Sequence, residues 1–180
     1  MDQTTATIQD EARLRVLASF DVLDQPPPVA FEHVVQVASA LCGSRIALIS
    51  LVDRERLYFM ASAGLDVQQV PNERSLCSYA TLFSSELLEV EDASRDPRFA
   101  DSPLVTGPPG IRFYAGAPLV SAEGAVLGTL CVIDRAPRQL NETQRVALAS
   151  LAEVTMQLLE ARRRELQLQQ QLSDLAPPLA

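Results

Sequence analysis

The side chains of this chain with the most reactive chemistry are its thiols, Cys42, Cys77 and Cys131. A thiolate is a nucleophile, a metal ligand and one half of a disulfide. The spacing favours none of these roles outright. The cysteines are odd in number and far apart, and no CxxC occurs, so buried reduced thiols are the expectation rather than a disulfide framework or a zinc ribbon. Cys77 falls in a helical segment and Cys131 in a strand, which allows the two to approach across a core. Neither has an adjacent Lys or His to lower its pKa. The single histidine, His33, sits between Phe31 and Val34 and is expected on a helix surface. With no second histidine to share a metal, and no nucleophile–His–acid set, no metal site or hydrolytic triad is expected. Every basic residue is Arg, which removes Schiff-base and P-loop lysine mechanisms. Gly107-Pro108-Pro109-Gly110 is too stiff for a phosphate-cradling loop.

Two further groups could contact a ligand. Glu91, Asp92, Asp96 and Asp101 cluster in one Asp-, Ser- and Pro-rich stretch. They could hold a divalent cation or a cationic ligand, or simply cap and solvate a loop. The last is favoured, because no calcium-loop spacing is present. Arg112 and Tyr114 alternate with Phe113, so by period two they share a face with Gly116. On a covered face Arg112 needs a partner, either a carboxylate of the acidic stretch, which is favoured, or an anionic ligand. A pocket built there is expected to be lined by Cys77, Phe83, Asp92, Phe99, Arg112, Tyr114, Gly116 and Cys131.

The elements that position these residues are legible from periodicity. Ile111–Val120 and Ala125–Asp134 are nearly uncharged runs around a turn carrying Gly124, a hairpin signal. The lack of charge predicts a sheet covered on both faces. Gly116 and Gly128 inside these strands predict a bulge or a space that something fills. Arg45–Asp53 and Arg56–Ala63 form a second hairpin through Asp53-Arg54-Glu55. Helices are expected over Glu11–Phe20, Val29–Leu41, closed by Cys42-Gly43, and Leu76–Phe83, capped by Ser75. A short strand spans Leu87–Glu91, followed by a long loop of the kind that forms binding elements or lids. Asn141-Glu142-Thr143-Gln144 is a capping-box variant opening a helix to about Leu175, stopped by Pro177-Pro178. Along that helix Leu151, Val154, Leu158, Ala161, Leu168 and Leu172 keep three- and four-residue steps broken only by Glu165. A helix roughly 50 Å long outreaches a small domain, so a homodimer zipped along this seam is expected.

The chain has 180 residues, 47% of them hydrophobic, enough for one core. Its net charge of −8 argues against nucleic acid. Neither a signal peptide nor a bilayer-length apolar run is present, so no membrane contact and a cytoplasmic location are expected. The expected divisions are an N-terminal helix and Pro-rich connection over 1–27, a core over 28–141, the long helix over 142–176, coiled-coil-like beyond about 160, and a tail over 177–180.

In order along the chain, the strings EARL (11–14) with LDQPP (23–27), IALISLVD (46–53), SLC (75–77), DPRF (96–99), LVTG (104–107), IRFYAGAPL (111–119) and LGTLCVID (127–134) resemble a GAF domain of bacterial signalling proteins. The resemblance implies an α/β (α+β) fold. A central antiparallel sheet of five or six strands would carry the N- and C-terminal helices on one face. A helix and the long loop would cover a pocket on the other. It implies a sensory or regulatory domain without enzymatic activity, binding a small molecule or a partner and needing no cofactor. The signal would pass along the helix to an output such as a histidine kinase or diguanylate cyclase. Bilin-binding relatives place His after the anchoring cysteine, whereas this chain has Cys77-Ser78-Tyr79. The cyclic-nucleotide signature Asn-Lys-Phe-Asp-Glu cannot occur without lysine. A thiol-dependent reductase at Cys77 and Cys131, similar to free-methionine sulfoxide reductases, is the enzymatic alternative. A ligand-free dimerisation module is the third.

Overall fold

The two longest uncharged runs become the middle of a sheet. The computed structural model describes residues 3–72, 75–83 and 86–175. Strands β1 (Ile46–Val52), β2 (Arg56–Ala63), β3 (Gln69–Pro71), β4 (Leu88–Val90), β5 (Phe113–Val120) and β6 (Val126–Asp134) form one six-stranded sheet in the order β3-β2-β1-β6-β5-β4. All neighbouring pairs are antiparallel. Every residue of β1 and β6 is buried. These strands therefore read as continuous apolar runs instead of alternating ones.

Alternation survives in where the side chains go. On one face Ala47, Ile49, Leu51, Phe113, Ala115, Leu130 and Val132 join a core with helices α2 (Glu11–Ala18), α3 (Val29–Cys42) and α6 (Glu142–Leu175). On the other, Ile46, Leu48, Tyr114, Cys131 and Ile133 join a core with α4 (Leu76–Ala80), α5 (Pro103–Thr106) and the loop between β4 and β5. A short helix, α1 (Gln3–Ile8), which the sequence does not announce, adds Ile8 to this second core. Arg13 holds that N-terminal turn down. It is buried, and its guanidinium donates to the carbonyls of Thr7, Ile8 and Val52.

Caps and clamps fix the first face. Gly43 closes α3 in the left-handed conformation, with φ +58°. Arg138 donates to the carbonyls of Cys42 and Gly43 and pairs with Asp134, tying the end of α3 to the end of β6. Asn141 Oδ1 accepts from Gln144 N (2.9 Å) and Gln144 Oε1 accepts from Asn141 N (3.0 Å), the reciprocal capping box expected for α6. Arg145 pairs with Glu89 at 2.7 Å, joining α6 to β4. Eighteen residues on, Arg163 pairs with Glu123 and Glu160 and lies 4.3 Å over the Phe20 ring. Beyond Leu166 every residue of α6 up to Leu175 is exposed. The Pro177-Pro178 stop lies outside the described residues.

The two strand glycines are already filled by the protein itself. A Cβ on Gly128 would stand 1.9 Å from the carbonyl oxygen of Ser50, where the β1–β2 pairing has a bulge at Ile49/Ser50. A Cβ on Gly116 would stand 2.2 Å from the hydroxyl of Tyr114, whose ring lies over that glycine. Gly128→Ala is therefore expected to cost about 3 kcal/mol or more, since backbone must move to admit the methyl. Gly124→Ala, at φ +82° with nothing within 4 Å, should cost only about 1 kcal/mol. Urea unfolding of the two variants checks the difference.

Candidate functional site

The second face is covered but not filled. Between the sheet and the α4–α5 layer lies a cavity of about 320 Å³, at the lower end of the ~300–1,000 Å³ range of small-molecule sites. The sheet contributes Ile46, Leu48, Leu57, Phe59, Tyr114 and Ile133. Helix α4 contributes Leu76 and Cys77, and the segment from α5 to β5 contributes Leu104, Pro108, Pro109 and Ile111. Leu65, Val67, Val70, Ser75 and Arg135 complete the lining, with Val67, Pro108 and Arg135 exposed at the mouth. The cavity opens to solvent at this mouth.

Local chemistry explains why the cavity stays open. Helix α4 has only five residues, capped by Ser75 Oγ, which accepts from Cys77 N at 3.1 Å. Ser78 Oγ donates to the carbonyl of Asn72 and Asn72 Nδ2 to the carbonyls of Asp53 and Arg54, anchoring the segment before α4 to the β1–β2 turn. Arg112 donates to the carbonyls of Val105 and Ile111, both at 3.0 Å. It thereby holds the end of α5 over the sheet.

Beneath α4 lies a buried polar cluster. The Sγ atoms of Cys77 and Cys131 are 3.8 Å apart, and Tyr114 Oη is 3.3 Å from Thr129 Oγ1. Ser50 pairs with Thr129 across the ladder, and its buried Oγ has no hydrogen-bond partner among the described residues. Hydrogen bonding from Cys131, reinforced by Tyr114, Thr129 and Ser50, lowers the Cys77 thiol against the opposing effect of burial. Its hydrogen bond to Cys77, together with burial, raises Cys131 well above the ordinary thiol range. Burial likewise keeps the Tyr114 phenol protonated.

Of the residues expected to line a pocket, Cys77 and Tyr114 do so. Cys131 lies directly behind Cys77, and Gly116 pairs with Cys131 in the ladder under the Tyr114 ring. Phe83 and Phe99 lie elsewhere, packed against Tyr79 with ring centroids at 5.8 and 5.3 Å, tilted and edge-to-face respectively, and with Arg98 over the Tyr79 and Phe99 rings. Asp92 accepts from Ser94 N and Oγ and pairs with Arg95, while Asp96 pairs with Arg98 and accepts from its N–H. These two acids therefore cap their own loop, and Glu91 and Asp101 are exposed. Arg112 takes carbonyls in place of the expected carboxylate, because the loop folds α5 back against it. His33 is exposed on α3. The lining from β1, β2 and the β2–β3 connection was not anticipated. The signal available was the period-two face of β1, since Leu48 pairs directly with Cys131.

The α6 seam divides. Leu148, Ala152, Thr155, Met156 and Leu159 face the core. Leu151 and Leu158 are half-buried at its edge. Val154 and Ala161 are exposed, as are Leu168 (60%) and Leu172 (69%). No group of three His, Cys, Asp or Glu among the described residues converges to hold a metal. No helix among them is long and apolar enough to cross a membrane.

The sheet thus carries helices on one face and a roofed cavity on the other. The GAF domain profile matches residues 26–159, and the chain belongs to the GAF domain family. It is 46% identical over 129 residues to a cyclic di-GMP phosphodiesterase of Pseudomonas aeruginosa; the alignment takes in 72% of this chain but only 22% of that protein. Among solved structures it is similar to the GAF domain of an Acinetobacter phosphoenolpyruvate-protein phosphotransferase (TM-score 0.63, 21% identity, 83% of this chain and 92% of that one). It is also similar to the free methionine-R-sulfoxide reductase of Neisseria meningitidis in complex with its substrate (TM-score 0.61, 23% identity, 92% and 95%). The blue-light-absorbing form of the PixJ GAF domain from Thermosynechococcus elongatus matches as well (TM-score 0.62, 15% identity, 93% and 96%). At these identities the structural likenesses speak for the fold alone.

Proposed function

We propose that this GAF domain is a sensory module whose cavity takes a small, largely apolar molecule and whose long C-terminal helix relays occupancy to an output. The cavity carries the reading. A roofed apolar concavity of about 320 Å³ offers a small molecule apolar contact on several sides, as ligand sites do. Among the described residues the only charged one in the lining is Arg135 at the mouth, so a ligand with one anionic group at its outer end fits it. β6 connects the two faces. Ile133 lines the cavity and Cys131 packs behind it on the same face, while Leu130 and Val132 face the helical layer that includes α6. A ligand that prefers one packing of the cavity wall would bias that layer as well.

The exposed leucines of α6 support a second copy of the chain as the partner helix. In a longer protein the natural recipient of the signal is a cyclic di-GMP phosphodiesterase, as in the Pseudomonas relative, with a histidine kinase or diguanylate cyclase as the related alternatives. The reductase reading is favoured by the 3.8 Å thiol pair alone. It is weakened by the lining, in which no Asp or Glu among the described residues stands ready for the ammonium group of a free amino acid. A ligand-free dimerisation module would leave the cavity without a purpose.

Native mass spectrometry of the chain purified from its own host is expected to show a retained small molecule, absent from Val67→Trp and Leu104→Trp variants that remain folded. A wild-type chain that, like the two variants, shows only its bare polypeptide mass would overturn the reading. Leu168→Asp with Leu172→Asp is expected to convert dimers to monomers by light scattering with little change in melting temperature. A dimer that persists would show that the association does not use this seam.

A further inference from the structure

We propose that Cys77 and Cys131 form a reversible dithiol–disulfide site, oxidised by organic hydroperoxides that reach Cys77 through the apolar cavity. The inference rests on the cavity being accessible, as in the sensory reading, but assigns it chemistry that ligand binding does not require.

The geometry has three parts. The two sulfurs are 3.8 Å apart, and a disulfide needs about 2 Å, so roughly 1.8 Å of closure joins them. The thiols are placed asymmetrically. Cys77 belongs to the cavity lining, whereas Cys131 lies behind it in β6, fully buried and outside the lining. One sulfur thus meets an incoming molecule and the other meets only its partner, the arrangement of an attacking and a resolving thiol. The third thiol, Cys42, lies in the core of the opposite face and cannot intervene. The polar groups around the pair are also suited to proton transfer. Tyr114 Oη and Thr129 Oγ1 are within hydrogen-bond distance of each other in the same buried cluster. The lowered thiol of Cys77 supports its role as the attacking one.

The reaction balances as follows. Cys77 thiolate attacks the terminal oxygen of the hydroperoxide and the O–O bond breaks. The departing alkoxide takes up the proton released by Cys77 and leaves as the alcohol, while Cys77 becomes a sulfenic acid. Cys131 then attacks the Cys77 sulfur, the S–O bond breaks, and hydroxide leaves with the Cys131 proton as water. Two thiols and one hydroperoxide give one disulfide, one alcohol and one water. A small dithiol reverses the change. The bond would pin α4, one wall of the cavity, to β6.

The test uses the whole chain and cumene hydroperoxide as the apolar probe. Thiol titration under denaturing conditions is expected to fall from three thiols to one, with peptide mapping joining 77 to 131 and leaving Cys42 reduced. In Cys131→Ser, a dimedone adduct should form at Cys77 and persist. In Cys77→Ser, both remaining thiols should survive. Cumene hydroperoxide should outpace hydrogen peroxide by at least about tenfold, the advantage expected if the aryl group is buried on the way in, and Val67→Trp should slow it. Three intact thiols in the wild-type chain, a sulfonic acid without the cross-link, or an equal rate with hydrogen peroxide would overturn the proposal. The sensory reading is judged separately. A Cys77→Ser/Cys131→Ser variant that still retains a ligand from its host supports that reading whatever the thiols do.

Discussion

Burial of β1 and β6 on both faces is the constraint from which the rest of this molecule follows. A strand pair without a single solvent-facing side chain cannot end a sheet or sit on a surface. It must have strands on each side and a layer above and below. The chain supplies these layers in two ways. On one face three helices interlock over large aliphatic and aromatic side chains, and arginine clamps at Arg138, Arg145 and Arg163 fix their ends. On the other, the covering is made of a five-residue helix, a four-residue helix and a long loop. Short elements held by Ser75, Asn72 and Arg112 roof the sheet without reaching down to it everywhere. The difference between a tightly packed face and a roofed one makes a cavity on one side and a rigid base for a projecting helix on the other.

The same contrast assigns roles to the arginines in a chain without lysine. Arg13 reaches three backbone carbonyls, Arg138 two at the end of α3, and Arg112 those of Val105 in α5 and Ile111, whereas Arg145 and Arg163 pair with carboxylates. The planar guanidinium, with several donors in a fixed fork, suits this work as an ammonium would not. Arg135 stands apart, exposed at the cavity mouth.

Much of this was legible in the sequence for a physical reason. Caps and turns are local. The capping box at Asn141 and Gln144, the left-handed Gly43 after Cys42, and the hairpin turn at Gly124 depend on residues a few positions apart, and they form as read. The coverage of both sheet faces followed from the absence of charge in two strands. The cavity lining was only partly legible, because an aliphatic side chain facing a void has the same sequence signature as one facing a packed neighbour. Leu48, Leu57 and Phe59 give no sign of which they meet. Tyr114 was placed on the right face, but its ring folding over Gly116 is a tertiary event, and so the space expected at that glycine is taken up. Period-two reasoning assigns Arg112 a carboxylate because the return of α5 against it leaves no mark in the sequence. The 34-residue α6 was read at its full described length, yet its core-facing stripe runs beside the heptad seam, since 3.6 residues per turn shift the buried face away from a strict seven-residue repeat.

An apolar space remains open over the sheet beside Cys77. Xenon enters such spaces and ignores well-packed cores. A crystal of this chain pressurised with xenon is predicted to show the gas bound among Leu48, Phe59, Cys77 and Tyr114, with the α2–α3–α6 face empty of it. A crystal in which Leu104, Pro109 and Ile111 have dropped onto the sheet, leaving no xenon there, would contradict it.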